Sequence, residues 1–166
     1  MAYRNKVYVS MDADNDLYYY YLMKAWKQND NSSFNFYDAH DINTILDKSE
    51  ASIKAGLMER FRNTSVFVLL VGEHTRYLYK FVRWEIEQAL KRNLPCIIVN
   101  LNGLRQQDDN RCPPIIKNKL AVHISFNSRI LQYALENWPE DHFGKKAEGS
   151  DNAYHYKRNV YENLGL

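Results

Sequence analysis

The chain is poor in the residues that usually announce chemistry. Its 166 residues include two cysteines, Cys96 and Cys112, which give no metal-ligand spacing and no disulfide framework. Six glycines and four prolines form no G-x-G-x-x-G or Walker pattern after a strand. The turn after the first apolar run is instead acidic, DADND, and hostile to a phosphate. No apolar run reaches the ~18 residues that a spanning helix needs. A formal charge of +2 gives no argument for nucleic acid or an anionic membrane surface as partner. No apolar signal region precedes the first strand, and no G-x-S-x-G elbow is present. A cytoplasmic protein with reduced thiols and no bound metal is expected.

What is there fits a soluble globular domain, with 45% hydrophobic and 25% charged residues. Thirteen tyrosines stand out, four of them in the run Tyr18 to Tyr21. Such a run on a helix must spread its rings around all sides, as snorkelling core residues or as a binding surface.

Apolar runs alternate with helical patterns. Residues 6–11 (KVYVSM), 34–39, 65–72 (SVFVLLVG), 95–101 and 121–126 read as strands, the third apolar throughout like a central parallel strand. A helix follows DADND, capped by Asp14 or Asn15 with Asp16 in its first turn, burying Leu17, Tyr21 and Met23 to Trp26. Another, capped by Ser49, spaces Ile53, Leu57 and Phe61 four apart. Residues 76–93 read as a third helix, and SRILQYALENW as a fourth, capped by Asn127 or Ser128. Gly144 to Ser150 looks like a flexible joint before a last helix through Tyr156, Val160 and Leu164. The domain is therefore drawn over residues 1–143, with 144–166 a joint and short helix. Strict alternation requires right-handed crossovers and a parallel sheet covered on both sides. The fold class expected is α/β, flavodoxin-like, a three-layer sandwich around a five-stranded sheet of order 2-1-3-4-5.

Ligands of such sheets bind beyond the carboxyl ends of the strands, near the switch between strands 1 and 3. Ser10, Asp12, Asp38, His40 and Thr75 are expected there. A receiver-type acceptor aspartate is missing, because the third strand ends in Gly72 and Glu73. Without it Asp12 and Asp14 read as helix-start acids. His123 alternates within a strand and reads as a hydrogen-bonded core residue.

Glu85 is the sharpest signal. In RYLYKFVRWEIEQALKRN, Phe81, Val82, Ile86, Ala89 and Leu90 form one apolar stripe, and Glu85 falls inside it. Two turns into that helix, it stands roughly 10 Å from the ligand edge. A carboxylate in apolar surroundings has a raised pKa and is a candidate catalytic group. Equally, its head could escape to water or pair with Arg83 or Arg60.

The segments VYVSMDADND, SVFVLLVGEHT and YKFVRWEIEQAL resemble the first strand, the central strand and the glutamate-bearing helix of TIR-like domains. The likeness is to the bacterial subfamily that includes the ThsB subunit of Thoeris anti-phage defence, and it extends over about residues 5 to 137. Its most specific part is VRWEI, a tryptophan followed by the glutamate, which makes Glu85 the counterpart of the family's catalytic residue. Many TIR domains carry Ser-x-Trp before that glutamate. Here Tyr79-Lys80-Phe81 stands in its place, keeping an aromatic at Phe81 and losing the small hydroxyl residue.

The resemblance implies cleavage of the nicotinamide–ribose bond of NAD⁺, with NAD⁺ as substrate and no further cofactor. That step passes through an oxocarbenium-like centre, which one carboxylate can stabilise. Water as acceptor gives ADP-ribose, and a hydroxyl of the same molecule gives a cyclic isomer. It also implies a signal read by a separate ThsA-like effector, since the chain has no room for an effector domain. Supporting roles fall to the loop YDAHDIN with Asp38 and His40, to Ser10 and Asp12, and to Thr75 and Tyr79. The rival readings are a non-catalytic adaptor acting by TIR–TIR assembly of copies, and a nucleoside deoxyribosyltransferase of related fold.

Overall fold

The computed structural model describes residues 6–29, 34, 37–38 and 49–166. Its strands are β1 (Lys6–Ser10), β2 (Tyr37–Asp38), β3 (Val66–Val71), β4 (Cys96–Asn100), β5 (Ala121–Ser125) and β6 (Ala153–His155). All pairs between them are parallel, and they line up as β2-β1-β3-β4-β5-β6. The flavodoxin-like order is thus present, with a sixth strand added at the far edge.

Alternation along each strand sorts side chains onto two faces. Val7, Val9, Val66, Val68 and Leu70 face α1 (Leu17–Gln28) and α4 (Ser128–Ala147). Tyr8, Phe67, Leu69 and Val71 face α2 (Glu50–Arg62) and α3 (Phe81–Lys91). β3 and β4 are buried at every position, as expected of strands covered on both sides.

The caps follow the chemistry of the sequence. The Ser49 hydroxyl accepts the Ser52 N–H, and the Asn127 side-chain oxygen accepts the N–H groups of Arg129 and Ile130. At α1 the N-cap is Asp16, without a side-chain cap bond, rather than Asp14 or Asn15. The buried residues of α1 are Tyr20 and Met23, whereas Tyr21 is 49% exposed. The reason is angular: two residues apart on a helix is about 200°, so Tyr21 cannot share the face of Met23.

The tail departs most from expectation. Gly144 lies inside α4, which runs through Pro139 to Ala147, so no joint begins there. The segment expected as one helix forms β6 and then the short α5 (Arg158–Asn163). Tyr161 of α5 is fully buried in the α1/α4 core, and its hydroxyl accepts the Ser125 N–H at 3.4 Å. The tail therefore packs as part of the same core.

Candidate functional site

The helix that carries Glu85 starts later than its periodicity suggests. After β3, Gly72 leads into a single turn of 3-10 helix (Thr75–Tyr77), and α3 begins only at Phe81. Leu78 has a ψ of 87°, which breaks helical continuity, and its carbonyl accepts the Arg83 N–H. Glu85 therefore stands four residues into α3, about 6 Å along the axis rather than 10 Å. The residues before it, Tyr77 to Lys80, become a wall instead of a helix turn.

That wall closes a cavity of about 850 Å³ beyond the carboxyl end of β1. Met11 to Asp14 form a second side, Ile53 and Leu57 of α2 a third, and Phe81, Val82 and Glu85 of α3 the fourth. The size is that of a pocket for a cofactor-sized molecule. Its place, outside the strand ends where β1 meets β3, is the switch point of the sheet.

Glu85 is 7% exposed, and the Ser10 hydroxyl donates to its Oε1 at 3.1 Å. Tyr8 and Ser10 are two apart on β1, so alternation turns both toward α3. Burial drives the Glu85 pKa up to about 7, against the lowering influence of the Tyr8 and Ser10 hydroxyls and the Arg60 charge. Burial, with the Glu85 charge added, also holds the Tyr8 phenol well above its ordinary range. Arg83 is engaged elsewhere, with Glu87 at 3.3 Å. The carboxyl group thus neither escapes to bulk water nor pairs with Arg83. It lines the cavity, with a pKa that lets it exchange its proton near neutrality.

Asp12 is buried, but its carboxylate is occupied by the turn: Oδ1 accepts the N–H groups of Asp14 and Asn15, and Oδ2 the Asn15 side-chain amide at 2.7 Å. It shapes the loop that floors the cavity. Asp16 behind it is also buried, its pKa raised by burial and then by Asp12. Its carboxylate fills the space where a Cβ at residue 72 would sit, which accounts for Gly72. Among the described residues no group of three or more potential metal ligands assembles.

Of the other residues expected at the edge, Ser10, Asp12, Tyr79 and Phe81 line the cavity. Thr75 does not: it is buried and its hydroxyl accepts the Gly72 N–H at 2.9 Å, closing the turn. Asp38 ends β2, next to β1 in the sheet, and His40 lies outside the described residues. Sequence reasoning missed Ile53, Leu57, Tyr77, Leu78 and Lys80. The first two read as core, and nothing in their spacing distinguishes a cavity wall from a packed helix face. Arg76 to Lys80 are all compatible with helix, so the wall carries no signal of its own in the sequence.

His123 was expected to be hydrogen-bonded in the core. It is fully buried, yet neither ring nitrogen has a hydrogen-bond partner, and burial lowers its pKa to about 4. Cys96 is the inert buried thiol expected, its pKa raised to about 12 by burial.

A parallel α/β domain whose switch-point cavity is lined by a buried glutamate is the architecture expected of TIR-like domains. The profile of the family described as "Thoeris protein ThsB, TIR-like domain" matches residues 8–106, more than half of the chain, and the chain belongs to that family. The match spans Tyr8, Ser10 and Glu85. Among curated proteins none matches. A solved structure, a conserved protein from Enterococcus faecalis V583, is similar at 18% identity and a TM-score of 0.43 over 97% of this chain and 86% of that one. No helix among the described residues is long and apolar enough to cross a membrane.

Proposed function

We propose that this chain is a TIR-type NAD⁺-processing enzyme that breaks the nicotinamide–ribose bond and makes a cyclic ADP-ribose isomer. The isomer is the signal that activates a separate ThsA-like effector in anti-phage defence. The observation that carries the reading is Glu85: a carboxylate buried in a helix face, bonded to Ser10, and opening into a cavity of about 850 Å³.

Nicotinamide leaves an already cationic pyridinium, so the bond can break without an external acid. The electrons of the C–N bond go to the ring nitrogen, and positive charge develops on the ribose carbon. An ionised Glu85 beside that carbon stabilises the charge in a setting shielded from water. Ser10 holds the carboxylate in place and keeps its pKa from rising further. Water then yields ADP-ribose, while a hydroxyl of the substrate held against the same carbon yields the cyclic isomer. Phe81 and Tyr79 offer ring faces for a nicotinamide or an adenine, and Met11, Ile53 and Leu57 supply apolar walls.

The test is incubation with NAD⁺ in lysate from phage-infected cells, with nicotinamide and ADP-ribose isomers followed by mass spectrometry. Release that depends on the chain and disappears with Glu85→Gln supports the reading. Equal release by the variant, or none by either protein, overturns it and leaves the adaptor reading.

A further inference from the structure

We infer that Lys80 is the residue that holds the diphosphate of the dinucleotide, released for that task from a Glu50 carboxylate that Lys54 also pairs. The inference rests on the NAD⁺ reading of the Glu85 cavity and adds a residue from the wall that precedes α3.

The charges around the cavity are lopsided. Its described lining includes Asp12, Asp14 and Glu85, and among those lining residues Lys80 is the only cation. A dinucleotide carries two negative charges on its diphosphate, and a wall of carboxylates alone would repel them. Whatever orients such a ligand with its pyridinium end at Glu85 must offer the diphosphate a positive group away from that end. Lys80 is five residues before Glu85, on the wall that precedes α3, and has the reach of a four-carbon stem.

Its present partner makes it available. Lys80 Nζ stands 3.3 Å from Glu50 Oε2, and Lys54 Nζ stands 3.2 Å from Glu50 Oε1. Glu50 thus keeps one lysine if the other leaves. Both side chains of the Lys80 pair are largely exposed, the regime in which an ion pair holds least tightly. The ammonium also lies 5.5 Å from the centre of the Phe81 ring, so it already sits beside a residue that lines the cavity. Exchanging Glu50 for a diphosphate leaves Glu50 paired with Lys54.

Calorimetric titration of the full chain with NAD⁺, ADP-ribose and nicotinamide riboside, which lacks phosphate, tests the assignment. Lys80→Gln is expected to weaken NAD⁺ and ADP-ribose about tenfold and nicotinamide riboside less than twofold, with Lys80→Arg restoring most of the loss. Glu50→Gln, which frees the lysine, is expected to tighten NAD⁺ about twofold. NAD⁺ binding by the wild type should weaken with added salt more steeply than binding by Lys80→Gln. Equal weakening of all three ligands, or none of any, overturns the role of Lys80 while leaving the NAD⁺ reading in place. Failure of the wild type to bind NAD⁺ overturns both.

Discussion

Glu85 of α3 and His123 of β5 are both more than nine-tenths buried, and both are pushed toward their neutral forms by burial. One opens into a large cavity, bonded to a hydroxyl from the neighbouring strand. The other is sealed between Ile98 and His155 in register, with both ring nitrogens unpartnered and no described cavity lined by it. Burial of an ionisable group therefore does not mark a site by itself. The difference is whether the strand ends leave room beside the group, and around Glu85 the segments Met11 to Asp14 and Tyr77 to Lys80 wall off that room.

The comparison breaks most visibly in activity. Glu85→Gln is expected to reduce nicotinamide release by a factor on the order of 10³, the scale of losing one preorganised stabiliser of transition-state charge. His123→Leu should leave the rate within about twofold. Comparable losses from both substitutions would mean that the two buried groups act through stability alone.

Stability against pH gives the next largest effect, and here the two residues oppose each other. The folded pKa of Glu85, about 7, lies above its ordinary 4.5, so the folded state binds the extra proton and gains stability as pH falls from 7 to 4.5. The folded pKa of His123, about 4, lies below its ordinary 6.5, so the unfolded state binds the proton and stability is lost as pH falls from 6.5 to 4. Between pH 6.5 and 4.5 the contributions offset. Urea unfolding of Glu85→Gln across that window should show a loss toward acid of roughly 2 kcal/mol, and of His123→Leu a comparable gain. Parallel profiles for the two variants would contradict the burial argument.

Gly72→Ala separates packing from chemistry. Its Cβ would collide with the Asp16 carboxylate, and a loss of about 1–3 kcal/mol in urea unfolding is expected. Ser10→Ala is the finest change. Without the hydroxyl's hydrogen bond the Glu85 pKa should rise by about half to one pH unit, so the rate at pH 7 falls several-fold while the rate at pH 9 changes little. A uniform fall at both pH values would assign Ser10 to substrate contact instead.

These contrasts also show what the sequence made legible. Period-two strands and four-residue helix spacings carry the layer order, and Ser49 and Asn127 cap where their chemistry places them, because those features are local. Glu85 was visible as a charge inside an apolar stripe, since a helix face is buried or exposed as a unit. The start of α3 was not: Arg76 to Lys80 are compatible with helix, and the non-helical Leu78 follows a turn that Thr75 closes onto Gly72. With that start misplaced, Tyr77, Leu78 and Lys80 could not be recognised as a cavity wall. β6 escaped because a three-residue strand is specified by its pairing with β5 rather than by a pattern of its own. The missing partners of His123 are equally a product of the assembled interior, since alternation shows that a side chain points inward but not what awaits it there.

The dependence of nicotinamide release on pH, under conditions where the wild type is active, tests the central role of Glu85 most directly. With an ionised Glu85 as the stabilising group, the rate should rise about tenfold per pH unit below 7 and level off above it. A rate that stays flat from pH 5 to 9, or that falls as the carboxyl group ionises, would contradict it.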